Sequence, residues 1–437
     1  MNTVIPDRFR DRGEGKNPVE PAGPRYFYGY VVAAAGFAIW FLGCGGSVNF
    51  SVFLKPVLTE FGWTRAETVL AYSLAMILQA PLVIIMGWLT DRVGPRFVVT
   101  VFGSFLGISY LLMSRVTDIW QFQLNYGLIA IFFILMAAGM PVGFSTFIIP
   151  VMATLARWFV KRRGLVMGIA QAGLGIGGLI FAPLSGWLIL TYGWRFAYIV
   201  IGGVVLVGII ISGSFLKRDP RDSGQLPDGE RRVITPEQSA GRQVARFSLR
   251  DVIRLSQFWV IAGIYFSFGF YRSTLLPHIA AHVQDLGFSL TDGANVLAAL
   301  IVSSTIGRIG MGRLADIIGN RLTFMISFTF TAAIMVWGFM AEDLWGLYLF
   351  ALVFGINWGA QAVIRFAVTS EVFGSVSLGL VMGILSLAEA VASALGSYFA
   401  GYIFDATGDY GPVFLISAGF SVIGVILAGI LKPKQDS

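Results

Sequence analysis

Residues 297–316 read Leu-Ala-Ala-Leu-Ile-Val-Ser-Ser-Thr-Ile-Gly-Arg-Ile-Gly-Met-Gly-Arg-Leu-Ala-Asp, an apolar stretch that contains Arg308 and ends in a charged turn. Its length and composition are typical of a helix that spans a membrane. An arginine inside hydrocarbon costs at least about 2.5 kcal/mol, so it normally faces a cavity and pairs with an anion. We therefore expect Arg308 to meet an anionic partner inside the bilayer.

The composition of the whole chain supports a membrane protein. The 437 residues are 56% hydrophobic and only 13% charged, with a mean hydropathy of +0.76. Soluble domains carry about twice that share of charge. Backbone in lipid must satisfy its own hydrogen bonds, and the long apolar runs do so as helices. We predict an all-α, polytopic protein whose main surroundings are the lipid bilayer.

Basic residues indicate how the chain crosses that bilayer. Most of the 31 Lys and Arg residues fall in alternate loops and near the two ends of the chain. Such residues concentrate on the cytoplasmic side, so we expect both termini there, in a multi-pass protein of the cell's inner (plasma) membrane. The polar first 25 residues lack the apolar core of a cleavable signal. The net charge of +7 reflects this topology, and we expect no nucleic-acid partner.

The order of apolar and polar segments predicts twelve spans in two halves, with the first span at 28–53 and the seventh at 257–281. The segment between the sixth and seventh spans is rich in charge and proline, a composition that forms a flexible linker and not a core. The predicted divisions are a cytoplasmic tail at 1–26, a six-helix half at 27–216, a cytoplasmic linker at 217–256, a six-helix half at 257–431 and a cytoplasmic tail at 432–437.

Two motifs recur in the same order in both halves. Gly87-Trp-Leu-Thr-Asp-Arg-Val-Gly-Pro-Arg96 returns 225 positions later as Gly312-Arg-Leu-Ala-Asp-Ile-Ile-Gly-Asn-Arg321. Gly164-Leu-Val-Met-Gly-Ile169 returns 215 positions later as Gly379-Leu-Val-Met-Gly-Ile384. Two matches in register indicate an internal duplication. Duplicated halves in a membrane protein predict alternating access around a site at their interface.

The turn motif, its second copy and the twelve predicted helices resemble the major facilitator superfamily over residues 26–432. Within it, Phe61-Gly-Trp-Thr-Arg-Ala-Glu-Thr68, Arg157-Trp-Phe-Val-Lys-Arg-Arg-Gly164 and Arg308 resemble the monocarboxylate transporters and the oxalate/formate antiporters. The resemblance implies a transporter, which we expect to work as a monomer.

The resemblance also implies that the turn motif joins the two halves on the cytoplasmic side when the cavity opens outward. Alternatively, its charges only set the topology and its glycines only permit a tight turn. The predicted gate residues are Gly87, Asp91, Arg92, Gly94, Arg96, Asp316 and Arg321.

Arg308 is the predicted main contact of a small carboxylate substrate, because a planar guanidinium binds a carboxylate through two hydrogen bonds. The alternative is an internal ion pair with Glu389. Ser304 lies one helical turn from Arg308 and is a second candidate, or it bonds back to its own helix. Arg272, within the seventh span, is either a second carboxylate contact or a gate.

Other polar or amphipathic residues at membrane depth are expected to line the cavity. The glycines that precede Asn49 permit either close packing or a broken first helix. We expect Arg365 to extend its head toward the cytoplasmic surface or to pair locally with Glu371. The candidates for cavity lining are Asn49, Gln79, Asn357 and Trp358.

Proton coupling has two candidates, Glu389 and His278. Animal monocarboxylate transporters carry an aspartate four residues before the eighth-helix arginine and a lysine in the first helix. Here Ser304 and the segment 45–49 stand in those places, so that proton mechanism is not carried over. Glu389 is alternatively a resting partner of Arg308 or Arg272. His278 and His282 are alternatively histidines at the level of the lipid headgroups.

We therefore predict a secondary active transporter of small organic anions, with a lactate- or pyruvate-like monocarboxylate and protons moving together. The alternatives within transport are an oxalate or dicarboxylate exchanger and an organic-acid exporter. From another class, the chain is a membrane receptor that senses carboxylates. Paired catalytic carboxylates, nucleophile arrangements and metal-binding clusters do not stand out in the sequence, so we expect no enzyme, no cofactor and no metal site.

Overall fold

The computed structural model describes residues 26–44, 49–123, 143–159, 163–229, 253–373 and 378–431. Within these ranges the chain forms helices and no strand. The first half contains α1 (Gly29–Ile39), which continues as a π-helical turn (Trp40–Cys44), α2 (Phe50–Phe61), α3 (Arg65–Val93), α4 (Pro95–Met113), α5 (Ile119–Gln123), α6 (Gly143–Trp158), α7 (Arg163–Tyr192) and α8 (Trp194–Ser214).

The second half contains α9 (Ser256–Leu275), α10 (Ile279–Asp285), α11 (Leu290–Ile318), α12 (Asn320–Met340), α13 (Leu344–Phe373), α14 (Leu378–Thr407) and α15 (Gly411–Ile430). Each of the twelve predicted spans contains helix. Among the described residues, eight helices are long and apolar enough to cross a membrane. The all-α prediction is confirmed.

Two of the predicted spans differ from their predicted bounds. The first does not end at residue 53, because α2 continues to Phe61 after the π-helical turn that ends α1. The seventh does not run through to 281, because α9 ends at Leu275 and α10 starts after Pro277. Proline lacks the N–H that an uninterrupted helix needs. As a result, α10 packs against α2 and α11 and does not extend α9.

The internal duplication is visible at the helix ends. Helices α3 and α11 begin and end 225 positions apart, and a capping box starts each one, with Thr64 in the first half and Ser289 in the second. Gly94 (φ +93°) and Gly319 (φ +87°) end these helices. Residues other than glycine rarely adopt this positive-φ backbone conformation. The repeated glycines therefore fix the same tight junction in both halves.

The predicted linker is folded where it begins. Residues 217–229 contain two short 3-10 turns, Pro220–Ser223 and Pro227–Gly229. Trp158 Nε1 donates to the carbonyl of Lys217 at 2.9 Å, and the side chain of Gln225 accepts from the backbone N–H of Tyr28 at 2.9 Å. The start of α1 and the linker therefore lie at the same end of the protein, as the predicted topology requires.

The two halves meet along two helix pairs, α3 with α14 and α7 with α11. Small residues bring these helices close together. A Cβ atom added at Gly178 of α7 would lie 2.5 Å from the Ile301 side chain, and one added at Gly401 of α14 would lie 2.9 Å from the backbone of Ala66. These four helices therefore form much of the interface between the two halves.

Gly193, which links α7 to α8 with a φ of +84°, tests the role of the junction glycines. We expect Gly193→Ala to destabilise the protein by about 1–2 kcal/mol, because an L residue is strained in the left-handed region. The control is Gly203→Ala, which is inside α8 and has open space around the added methyl. Thermal unfolding in detergent should show a lower midpoint for Gly193→Ala only, and equal midpoints would contradict this role.

Candidate functional site

Three charged side chains meet inside the second half: Arg272 from α9, Arg365 from α13 and Glu389 from α14. Arg365 Nη1 donates to Glu389 Oε2 in a close ion pair, and Arg272 Nη2 lies 3.9 Å from Oε1 of the same carboxylate. These side chains retain only 20%, 13% and 14% exposure, respectively. We call them the Arg–Glu–Arg cluster, which carries one negative and two positive formal charges.

The two arginines of the cluster are held to different degrees. Arg365 lies against the rings of Tyr265, Phe268 and Phe366, at 5.2, 4.6 and 4.9 Å from their centroids. Arg272 donates to Ser393 Oγ at 3.1 Å and lies 5.7 Å from the Phe268 ring. The Nε atom of each arginine is buried and has no hydrogen-bond partner in the described part of the chain. Both cations therefore keep unused donors.

Arg365 does not have the local partner predicted for it. Glu371 accepts a hydrogen bond from Asn320 instead. Six residues on a helix differ by about 240° in direction, so Arg365 and Glu371 point to different sides of α13. The same geometry turns Arg365 toward α14, where Glu389 lies. Of the partners predicted for Glu389, Arg272 is present in the cluster.

Arg308 lies above the indole of Trp358, with its guanidinium carbon 5.8 Å from the ring centroid. Trp358 is buried at 4% exposure, and Arg308 is partly exposed. Trp358 and Arg365 are seven residues apart on α13, so they share one face and differ in depth by about 10 Å. Arg308 and the Arg–Glu–Arg cluster thus occupy two levels on this face of the second half.

Two of the predicted substrate-binding residues form hydrogen bonds inside the second half. Ser304 is fully buried and its hydroxyl donates to the carbonyl of Ile301 at 2.7 Å, which is the alternative of bonding back to its own helix. Asn357 accepts from Ser327 Oγ at 3.1 Å and donates to the carbonyl of Val353 at 2.8 Å. In this conformation their polar groups therefore stabilise helix packing.

Asn49 is the polar candidate that the structure places in the first half. It immediately precedes α2 and is 2% exposed. Neither atom of its amide group has a hydrogen-bond partner within the described residues. A buried amide without partners costs free energy, so Asn49 remains suited to a polar ligand. The side chain of Gln79 lies outside the described residues, although its backbone belongs to α3.

The structure describes only some of the residues of the two turn motifs. The side chains of Asp91 and Asp316 lie outside the described residues, as do the surroundings of Gly87. Arg92 stacks on Trp88 at 5.3 Å, Arg96 is exposed, and Arg321 donates to the carbonyl of Gly429. The gate function of these residues stays a prediction.

His278 is fully hydrogen bonded. Its Nε2 is 3.0 Å from the carbonyl oxygen of Ser397, which can only accept, so Nε2 carries the proton. Nδ1 therefore accepts from the Tyr410 hydroxyl at 2.8 Å, and the same hydroxyl accepts from Arg65 Nη1 at 2.5 Å. These bonds join His278 to the first half.

The side chain of His282 is buried inside the protein and does not face the lipid. It is 8% exposed and packs against the rings of Tyr410 and Phe414, 5.4 and 5.3 Å away. The break at Pro277 separates α10, which carries His282, from α9, and α10 packs against α2 and α11. His278 is buried as well, at 1% exposure, so the level of the two histidines relative to the lipid headgroups stays a prediction.

Charged side chains join the two halves at the end opposite the linker. Arg65 Nη2 and Lys55 Nζ, from the first half, contact the carboxylate of Asp285 at 2.5 and 2.8 Å. Asp405, at the end of α14, accepts the backbone N–H groups of Arg65 and Ala66 at 2.9 and 2.8 Å. A carboxylate is favourable at the positive N-terminus of a helix. We call this set, together with Tyr410, the outer contact.

Hydrogen bonds between uncharged groups join the two halves next to the outer contact. Ser73 Oγ of α3 is 2.7 Å from Ser397 Oγ of α14, and Ser51 Oγ of α2 accepts the N–H of Ala280 at 2.9 Å. Beside them, on the outer surface of the first half, the hydrogen bond from Arg195 lowers the pKa of Glu60. The halves are therefore closed against each other at the end opposite the linker, which the predicted topology places outside.

The outer contact was not predicted from the sequence. One signal was available, because Lys55 and Arg65 are basic residues on the outer side, where the positive-inside rule disfavours them. Such residues need a specific partner. Their partners, Asp285 and Asp405, are more than 200 positions away in the chain and carry no local pattern.

Asp405→Ala should loosen the outer contact, because it removes the acceptor for two N–H groups at the start of α3. A hydrogen bond to a charged group contributes about 1.5 kcal/mol, which corresponds to a change of about tenfold in an equilibrium. With Cys44→Ser and Ser73→Cys as background, labelling from outside by an impermeant maleimide should become about tenfold faster. The control is Asp409→Ala, and equal rates in both variants would contradict this role.

Comparisons with known proteins show which family and which solved structures this chain is similar to. The model of the Major Facilitator Superfamily matches residues 33–310 and 261–437. Monocarboxylate transporter 13 of Bos taurus is 26% identical over 91% of this chain and 88% of its own length, and monocarboxylate transporter 4 of Gallus gallus is 27% identical over 85% and 76%. A bacterial homolog of the human lysosomal transporter Spinster, solved in an inward-facing and occupied conformation, shares the fold with a TM-score of 0.72, at 16% identity over 93% of this chain and 97% of that one.

Proposed function

This chain belongs to the Major Facilitator Superfamily and is a membrane transporter, not an enzyme; on that premise, we propose that it carries small organic anions, a lactate- or pyruvate-like monocarboxylate first of all, together with protons. The relatives named as monocarboxylate transporters support this substrate class. We place the protein in the cell's inner membrane as a monomer, with both termini in the cytoplasm.

The observation that carries the proposal is the unequal distribution of buried charge. Arg308 and the Arg–Glu–Arg cluster belong to the second half. At the repeat-related positions of the first half, Val83 corresponds to Arg308 and Leu174 to Glu389. A net positive site in a low-dielectric interior favours an anion. We infer that the second half binds the carboxylate, with Arg308 as its main contact, and that the first half forms a mostly apolar wall.

Glu389 is the group that we propose to take up the proton. Arg272 and Arg365 face its carboxylate, and Tyr265 and Tyr271 are the other titratable side chains within electrostatic range. When Glu389 gains a proton, the cluster gains one uncompensated positive charge. The carboxylate of the substrate then supplies the missing negative charge. The site therefore favours binding of the anion and the proton together over binding of either one alone.

His278 has a different role in this proposal. Both of its ring nitrogens are already hydrogen bonded, and one of those bonds belongs to the outer contact. Protonation of Nδ1 would break the bond that it accepts from Tyr410. We therefore assign His278 to the closure of the outer end and not to proton transfer.

Transport by alternating access requires the outer contact to open and close. In the present conformation the outer end is joined by ion pairs and by a bond between two serine hydroxyls. Substrate would leave or enter from the cytoplasmic side in this state. Separation of α3 from α14 would admit substrate from outside.

Arg308→Ala tests the proposed substrate contact. Proteoliposomes with an alkaline interior should accumulate labelled lactate with the wild-type protein. The variant should be slower by about 100-fold, because a charge-assisted pair contributes up to ~3 kcal/mol. The matched control is Arg313→Ala, which removes an exposed arginine from the same helix.

Two outcomes would contradict this assignment. Lactate uptake that is equal in Arg308→Ala and Arg313→Ala would exclude Arg308 as the main contact. Lactate that binds to the wild-type protein and never crosses the bilayer would indicate a receptor and not a transporter.

A disulfide at the outer end tests alternating access. Ser73 and Ser397 are close enough for Ser73→Cys and Ser397→Cys, in a Cys44→Ser background, to form an intramolecular disulfide upon oxidation. Oxidation should abolish lactate uptake because the outer end cannot open, and a reductant should restore it. Each single cysteine variant is the control and should be insensitive to oxidant. Full transport by the quantitatively cross-linked protein would contradict the mechanism.

A further inference from the structure

We propose that Glu389 determines specificity by occupying, with its own carboxylate, the place that a second substrate carboxylate would take. The protein thereby selects monocarboxylates over dicarboxylates. This inference rests on the proposed function, because it concerns the same binding site.

The Arg–Glu–Arg cluster has the form of an occupied anion site. The Glu389 carboxylate lies between two guanidinium groups, with one oxygen on Arg365 and the other 3.9 Å from Arg272. A ligand carboxylate would adopt the same position, since guanidinium groups bind carboxylates through both oxygens. The buried Nε atoms of Arg272 and Arg365 have no partner within the described residues. The site therefore retains donors that the shared carboxylate does not satisfy.

The cluster is also within reach of the main substrate contact. Trp358, beneath Arg308, and Arg365 share one face of α13 and are separated by about 10 Å along its axis. Arginine side chains are long and span part of this separation. One extended ligand can therefore place a carboxylate at each level.

Glu389 makes such a ligand unfavourable. A second carboxylate would approach a negative charge in a low-dielectric interior, where like charges repel strongly. A specific site often rejects a close analogue through such repulsion. Loss of the Glu389 charge would change the formal charge of the cluster from +1 to +2. In the wild type this charge is lost only after Glu389 takes up its proton, so a monocarboxylate can bind at Arg308 while Glu389 is still ionised and a dicarboxylate cannot. A variant that lacks the Glu389 charge at every pH removes this requirement, and a second substrate carboxylate would then be attracted to the cluster.

Arg272 is the cation that would bind the second carboxylate. Three aromatic rings hold Arg365 in place, whereas Arg272 donates to one hydroxyl and is more exposed. Without Glu389, Arg365 would remain where it is and Arg272 would turn toward the ligand. If Arg272 is removed in addition to the Glu389 charge, the protein should lose its acquired preference for a dicarboxylate.

The experiment measures selectivity and not rate. Labelled lactate is exchanged across proteoliposomes at one fixed pH, and unlabelled butyrate or succinate competes with it. The two competitors have the same carbon chain and differ by one carboxylate. The readout is the ratio of their half-inhibitory concentrations, which does not depend on how active each variant is. Malonate and glutarate, measured in the same way, identify the preferred chain length.

In the wild type, succinate should compete poorly compared with butyrate. In Glu389→Gln the ratio should shift toward succinate by about tenfold, the effect of one charge-assisted hydrogen bond. The double variant Glu389→Gln/Arg272→Gln should return to the wild-type ratio. If Glu389→Gln does not fold, Glu389→Ala decides the question, because it removes the same negative charge with a smaller side chain and the ratio should shift in the same direction.

Three results would overturn the inference. The first is a wild-type protein for which succinate and butyrate compete equally. The second is an unchanged ratio of half-inhibitory concentrations in the Glu389 variants. A shift that persists in the double variant would exclude Arg272 as the second contact. In contrast, a wild-type protein that carries no monocarboxylate would contradict the proposed function itself, so the two failures are distinguishable.

Discussion

The account depends on one interaction, the carboxylate of Glu389 between Arg272 and Arg365 within the bilayer. Charges in a low-dielectric interior are tolerated only when they are compensated. This requirement brings α9, α13 and α14 together, with Gly269 of α9 allowing the backbone of Glu389 to approach. It also leaves the cluster with two positive charges and one negative charge. The anion binding and the proton coupling that we propose both follow from this electrostatic constraint.

The duplicated halves have kept their framework and diverged in their interior. Helices α3 and α11 share their length, their capping boxes and their terminal glycines, although Arg308 has an apolar counterpart. The outer contact also departs from the repeat, since Asp405 caps a helix of the other half. A similar backbone in both halves is suited to the rocking motion that we propose, and the different side chains are the reason why we assign substrate binding to one half. The residues that the two halves share at their helix ends therefore differ from the charged residues to which we assign substrate binding.

The sequence predicted the fold well because its signals are local. Helix length, the positive-inside rule and the repeated turn motif need only nearby residues, and Pro277 was a visible sign of the break after α9. Pairings between helices were harder. Arg365 was assigned to Glu371 nearby in the chain, whereas its partner is on another helix. Asp405 and Arg65 are joined by tertiary contact across 340 positions, and no short pattern could predict that bond.

The central claim is that buried charge stays compensated while the substrate moves, so that anion and proton cross together. The most direct test is to measure the accumulation of labelled lactate in proteoliposomes at a fixed pH gradient while valinomycin and potassium set the membrane potential. The account predicts that accumulation follows the pH gradient and does not change with the potential. Accumulation that follows the potential at a constant pH gradient would show that the anion crosses with uncompensated charge, and would contradict the account.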